Sequence, residues 1–448
     1  MFFFKKYCSF NVSLKIFILV LFLFFSVNFY LFYKLIWLVG YVPNTAPVLA
    51  VQKNVEKGSN HGENIAKKQC VVSNLTTLYH NRITQLKREL SDFFQKTPNS
   101  AELPKRFNQF KETLIRSNPS NEAIEQIYFT NGQLIKVLKT ATLLKASNSG
   151  RGSQLKLLLQ LSNNITAIFK PKWYRTNEVI NGSVYSGKDR HYGEVVAFYL
   201  SILFDFKKVP VAAIRKLNIN ELLLVSDQAL LETFISKNNY TCFYGVCHYC
   251  SPSDLLCSES NILEGTAIIF VSFDNKLKLI RHPWGRTYKC KSLAKWETDN
   301  KYCTYVRNSK FYSKKQNAAL FFDLVDASIF DFLIDNGDRH HYEYVESSGV
   351  PRMIFFDNGK SFGNPYVDHI DILAPLYQCC LLRNSTWNTL LHLRGGNLSY
   401  WLRKLMAADP DLVIDEKHFI ALERRLLLIF TVLKDCFKRK GMQNVILN

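Results

Sequence analysis

The longest apolar stretch of the chain lies near its start. Ile16 to Tyr33 is an uncharged run of eighteen residues rich in Phe, Leu, Ile and Val. At about 1.5 Å rise per residue it nearly spans a bilayer core of about 30 Å, and it reaches Val39 if Lys34 snorkels. Lys5, Lys6 and Lys15 precede it, and no small-residue cleavage signature follows. The pattern predicts a cytosolic tail over 1–15, a retained single-pass signal-anchor over 16–39, and a lumenal remainder. From Tyr41 to Lys68 periodicity gives way to Pro, Asn, Gly, Lys and Glu, the pattern of a flexible stem, placed at 40–72.

Beyond the stem, helical spacing returns. Tyr79, Ile83, Leu86, Leu90, Phe93 and Phe94 fall on one stripe, as do Ile124, Ile127, Leu134, Val137 and Leu138, predicting a helical segment over 73–148. A glycine-bearing loop, Ser149 to Gln154, then leads into the apolar run Leu155 to Leu161. Ser162 to Asn164 makes a turn, and Thr166 to Lys170 reads as a second strand ending on a lysine. Arg190 to Phe204 carries a helical apolar face with Glu194 near its start, and Glu264 to Phe270 reads as a buried strand. Helical patterns follow over Ala318 to Ile334, Trp387 to Met406 and Lys417 to Cys436. A strand-rich half followed by a helix-rich half predicts an α+β fold of two lobes, 149–272 and 273–448. No internal repeat is visible.

With 448 residues, 47% of them hydrophobic, the chain can bury two lobes sharing a cleft. Its eleven cysteines are too many for an ordinary cytosolic enzyme and point to disulfides in an oxidising compartment. Six glycosylation sequons beyond the anchor, at Asn74, Asn164, Asn181, Asn239, Asn384 and Asn397, agree with a lumenal address. The formal charge of +20 is spread widely rather than gathered in basic stripes with aromatic platforms, which argues against nucleic acid. Charge alone does not choose between a solvated basic surface and attraction for an anionic nucleotide, glycan or peptide.

The candidate chemistry sits in two loops. Asp331 to Glu343 reads as an apolar helix ending in a polar loop, Asp-Asn-Gly-Asp338-Arg-His-His. Ile354 to Gly363 reads as an apolar strand ending on Asp357 before Asn-Gly. Phosphoryl transfer needs one carboxylate to take the proton of the attacking hydroxyl and another to hold a metal against the phosphates. Helix, loop, strand and loop bring Asp338 and Asp357 into one cleft. Lys170 ends a strand where it can reach phosphates, with Glu194 or Asp189 to hold it, and the Gly150–Gln154 loop can offer backbone N–H groups. His340 and His341 stand beside carboxylates as a zinc pair would, but neighbours on an extended segment face opposite ways.

Asp338 to Glu343 together with Asp357 to Gly363 resembles the "family with sequence similarity twenty" group of secretory-pathway kinases. The resemblance runs from about Gly150 to Cys436, through Gly152-Ser-Gln154, Phe169-Lys-Pro171, Asp189-Arg-His191, Cys242-Phe-Tyr-Gly245, Ile329-Phe-Asp-Phe332 and Gln378-Cys-Cys380. Asn364-Pro365, Ile372 to Cys380, Ser385 to Asn388 and the Cys247–Cys250 spacing are similar to its glycosaminoglycan xylosylkinase branch. The other active branch is a Golgi casein kinase acting on Ser-x-Glu sites. The resemblance implies an atypical two-lobed kinase fold on a Golgi membrane, with ATP and Mn²⁺ or Mg²⁺. Its implied substrate is the 2-hydroxyl of xylose in the linkage-region glycan of proteoglycans. It implies Asp338 as catalytic base, Asp357 and Asp189 as metal ligands, and Glu194 as a holder of the lysine or a metal ligand. Nucleotide contacts are implied at Gln154, Lys170, Ile268, Ile269, Phe270, Val271, Glu343 and Asp357. Disulfides are implied at Cys242–Cys257, Cys247–Cys250, Cys303–Cys379 and Cys380–Cys436, leaving Cys70 and Cys290 over, with Cys8 cytosolic and reduced. A protein kinase and a catalytically silent activator of a partner kinase are the rival readings. Pairing with a second copy or a related kinase is left open.

Overall fold

The computed structural model describes residues 132–447, apart from 151, 163–164, 207, 271–276, 290–291, 346–350 and 408. The expected tail, anchor, stem and most of the 73–148 segment lie outside the described residues, as do Asn74, Asn164, Cys70, Val271 and Cys290. Among the described residues no helix is long and apolar enough to cross a membrane.

The first lobe is built on a five-stranded sheet of β1 (Leu143–Asn148), β2 (Leu157–Leu161), β3 (Ile165–Pro171), β4 (Ala212–Asn218) and β8 (Ile262–Ile269), in the order β1-β2-β3-β8-β4. β2, β3 and β8 are apolar runs of the pattern, whereas β1 and β4 are not among the strands it predicts. β1 lies inside the segment expected to be helical and pairs antiparallel with β2 across the glycine-bearing loop. Among the described residues of that segment, the stretch before it is helical, as α1 (Gly132–Thr140). The Arg215 side chain on β4 donates to the Leu138 and Ala141 carbonyls at 2.7 and 2.5 Å, giving partners to the end of α1 that helical bonding leaves open. A small sheet of β5 (Phe234–Lys237), β6 (Tyr240–Phe243) and β7 (Leu256–Cys257) is closed by the Cys242–Cys257 disulfide.

Behind the large sheet lies α2 (His191–Leu203). Twelve of its thirteen residues are buried, so it is a central helix rather than one with a single apolar face. The second lobe packs around α3 (Ala318–Ile334), also buried almost all round, and α7 (Glu416–Lys440), whose apolar stripe faces it. The expected long helix from Trp387 to Met406 is two helices, α5 (Asn384–Leu393) and α6 (Asn397–Met406). The break is Gly395-Gly396, both at positive φ, where only glycine turns without strain. α4 (Ala374–Cys379) sits between α3 and α7.

The second lobe also holds a sheet of which the pattern reveals only the strand at Ile354. β9 (Leu277–Arg281), β10 (His341–Val345) and β11 (Arg352–Ile354) pair antiparallel in the order β11-β10-β9. β9 is mostly exposed, so it lacks the apolar signature of a strand. Short strands β12 (Leu382–Arg383) and β13 (Ile446–Leu447) pair near the C-terminus. Disulfides join Cys303 to Cys379 and Cys380 to Cys436, with Cys247–Cys250 beside the small sheet. All four are the pairs that the resemblance implies.

Candidate active site

The end of β3 delivers Lys170 into the cleft between the lobes, 3% exposed. Its Nζ donates to Glu194 Oε1 at 2.6 Å, to Asp189 Oδ2 at 2.9 Å, and to Asp357 Oδ1. Desolvation acts against the ammonium, but these three carboxylates hold the lysine well above its usual range. Glu194 is fixed from the other side: the Asn358 backbone N–H donates to Oε1 at 2.9 Å and its side-chain amide to Oε2 at 3.1 Å. Gly193 allows this approach, because a Cβ there would run into Ser361 and the Asn358 carbonyl.

Asp357 follows β11 in a left-handed conformation, φ 58°, which turns the chain sharply out of the strand. Its side chain is 58% exposed and opens into the cleft. Desolvation pushes the carboxyl up, but Lys170 and Lys156, the latter at 3.3 Å, hold it well below the usual carboxylate range. Asp338 lies beyond the end of α3, which stops at Asp335 in a left-handed cap. Burial pushes its carboxyl up, against a hydrogen bond from the Tyr288 phenol to Oδ1 at 2.6 Å. Arg339 fastens the two loops together. It forks onto Asp331 of α3 at 2.5 and 2.8 Å, and donates to the Phe356 carbonyl at 2.6 Å and to Asn358 Oδ1 at 2.8 Å.

Two cavities meet here. One, of about 230 Å³, is lined by Ile168, Lys170, Glu194, Ile268, Ile269, Phe270, Glu343 and Asp357, together with Asp338 and His340. The other, of about 720 Å³, is walled by Trp173, Tyr185, Tyr244, Tyr249, Tyr288 and Lys360, and again by Asp338 and His340. The first joins apolar strand residues to a lysine and carboxylates, as a nucleotide with its phosphates requires. The second is wide and aromatic, with Lys188 Nζ 3.5 Å from the Trp173 ring centre. Asp338 stands in the wall they share.

The profile described as "Golgi casein kinase, C-terminal, Fam20" matches residues 110–445. The Drosophila melanogaster "Glycosaminoglycan xylosylkinase homolog" is 43% identical over 332 residues, covering 72% of this chain and 76% of that protein. The chain belongs to the Fam20 family. A solved structure of hydra Fam20 with sugar aligns at 38% identity and a TM-score of 0.68, covering 76% of this chain and 98% of that one. The Golgi casein kinase with Mn/ADP bound aligns at 26% identity and a TM-score of 0.69, covering 88% and 96%.

In this Fam20 chain the cleft gathers Lys170, Asp189, Glu194, Asp338, Glu343 and Asp357, with Ile268 to Phe270 at the strand end beside them. Gln154 is placed otherwise. It lines the larger cavity, and its Oε1 accepts from the Asp189 backbone N–H at 2.9 Å. Sequence reasoning left out Lys156, Tyr288 and Arg339. Lys156 lies two residues past Gln154, and Arg339 is in the Asp338 motif itself, so both had a local signal. Tyr288 is fifty residues from Asp338 and had none. Among the described residues no group of three or more His, Cys, Asp or Glu forms a ready metal cluster. Of the sequons, Asn181 and Asn239 are exposed, whereas Asn384 and Asn397 are half-buried and the Asn397 side-chain amide donates to the His392 carbonyl at 2.9 Å.

Proposed function

We propose that this chain is an ATP-dependent glycosaminoglycan xylosylkinase, which transfers the γ-phosphate to the 2-hydroxyl of xylose in the linkage region of proteoglycans. The observation that carries this reading is the position of Asp338 in the wall common to the cleft and the wide aromatic cavity. A base that must touch both a phosphate-bearing nucleotide and a separate, bulky acceptor belongs there. Aromatic walls suit the apolar faces of sugar rings, and the relatives named for xylosylkinase and sugar binding favour a glycan over a peptide.

The donor set fits a divalent ion. Three carboxylates converge on one lysine at Asp189, Glu194 and Asp357, a surplus of hard oxygen ligands that suits Mn²⁺ or Mg²⁺ shared with phosphates. Glu194 spends both oxygens on Lys170 and Asn358, so it acts as the holder of the lysine. Asp357 and Asp189 are then the metal ligands. When bound, such an ion would neutralise charge on the phosphates. Lys170 positions the nucleotide, Ile268 to Phe270 flank its base, and Asp338 takes the proton of the attacking hydroxyl. Arg339 keeps the Asp338 and Asp357 loops in register.

The same reading places the catalytic lobes in the Golgi lumen, held by the anchor over 16–39. Labelled ATP offered to a galactosyl-xylose acceptor and, separately, to a casein-like peptide tests the assignment. Phosphate is expected on the sugar; phosphate on peptide alone, or nucleotide binding without transfer to either, overturns it.

A further inference from the structure

Tyr288 belongs to neither loop motif, yet its phenol donates to Oδ1 of Asp338 at 2.6 Å. It lies in the segment that follows β9, whose base is pinned in three ways. The Trp296 indole donates to the Gly285 carbonyl at 3.0 Å, Arg286 pairs with Asp371 at 2.7 Å, and the Trp284 backbone N–H donates to His282 at 3.0 Å. The Tyr288 ring stands 46% exposed at the wall of the wide cavity, edge-on to Tyr185 at 4.8 Å and to His340 at 6.2 Å. An exposed ring held by a rigid base, with its polar tip on the proposed base, is placed to act on the acceptor's side of the reaction.

We propose that Tyr288 is a positioning residue for phosphoryl transfer: its phenol fixes one oxygen of Asp338 and leaves the other for the acceptor hydroxyl, while its ring forms part of the acceptor wall. This rests on the reading of Asp338 as base. A carboxylate free to rotate presents either oxygen at random, and holding one of them restricts the attack to a single geometry. The hydrogen bond also favours the charged form of Asp338 over the neutral acid. The other groups facing Asp338 are His340 from its own loop, and Lys360 and Asp357 from the loop after β11. None of these depends on the Tyr288 hydroxyl, so its removal isolates one effect.

The test compares wild type, Tyr288→Phe and Tyr288→Leu in the full chain, measuring kcat and KM for acceptor and for ATP across pH. The Phe variant keeps the ring, so the acceptor KM should hold within about twofold while kcat falls about tenfold. Its acid limb of kcat/KM should move up by about half a pH unit or more. The Leu variant should also raise the acceptor KM, with the ATP KM unchanged in both. An acid limb and kcat that stay at wild-type values in Tyr288→Phe overturn the proposal. Asp338→Asn, run alongside, separates the two layers: an active Asn variant removes the base assignment and this inference with it, whereas an inactive one beside an unaltered Phe variant removes this inference alone.

Discussion

Lys170 and Asp357 are bound so closely that each explains the other's state. Removing the carboxylate as Asp357→Ala leaves Lys170 still paired with Asp189 and Glu194, so the fold should survive while metal-dependent transfer falls by about two to three orders of magnitude. Activity assays with near-native circular dichroism check this; a fully active variant contradicts it. Asp338 gives a pH prediction. It must be deprotonated to accept a proton, and burial raises its pKa. The acid limb of kcat/KM should therefore lie above the ordinary carboxylate value of about 4, with activity rising as pH climbs through it. A profile flat down to pH 4 counts against Asp338 as the base. At this scale the two aspartates were legible because each stands in the polar loop just after an apolar element. The proposed split between Asp189 and Glu194 was not, since it rests on Asn358 reaching across from the other lobe.

The element that sets the geometry is α3 with its cap. Asp335 ends the helix in a left-handed turn and is held by His369 at 3.0 Å and Arg425 at 3.6 Å. Arg425 also binds Asp368 at 3.0 Å and the carbonyls of Leu333 and Val367 at 3.1 and 2.8 Å, tying α7 to the catalytic loop. Although burial pushes Asp335 up, Arg425 and His369 hold its carboxyl far below the usual range. Replacing Arg425 with Leu leaves the buried Asp335 with His369 alone and should cost about 3 kcal/mol, read as a lower urea midpoint. A variant as stable as wild type would show that the network is incidental. The apolar period of α3 was plain in the sequence, but the partner of its cap was not, because Asp335 and Arg425 lie ninety residues apart. The same distance problem hid the β9–β10 pairing.

At the scale of the whole molecule, stability depends on buried groups that titrate. Burial drives His282 and His418 down to about 3 from an ordinary 6.5, so both are neutral in the fold. Below pH 6.5 the unfolded chain takes up protons there that the folded chain refuses. Stability from these two groups is complete above pH 6.5 and declines as pH falls towards 3. Urea midpoints at pH 7 and pH 5 should show the drop, and equal midpoints would refute it. Cys380–Cys436 joins α4 to α7 across 56 residues. Replacing both cysteines with Ala should cost about 4 kcal/mol in the chain-entropy argument, measured by denaturation under non-reducing conditions. A loss under about 1 kcal/mol would assign the bond no such role.

The central claim is that the carboxylate shared by the two cavities delivers phosphate to a sugar. The most direct measurement is the position of label after incubation with γ-labelled ATP and galactosyl-xylose, for wild type and for Asp338→Asn. Phosphate on the xylose 2-hydroxyl, present with the wild type and absent with the variant, is the outcome this account predicts. Label on the sugar at the same rate in both proteins, or on no sugar position with either, would contradict it.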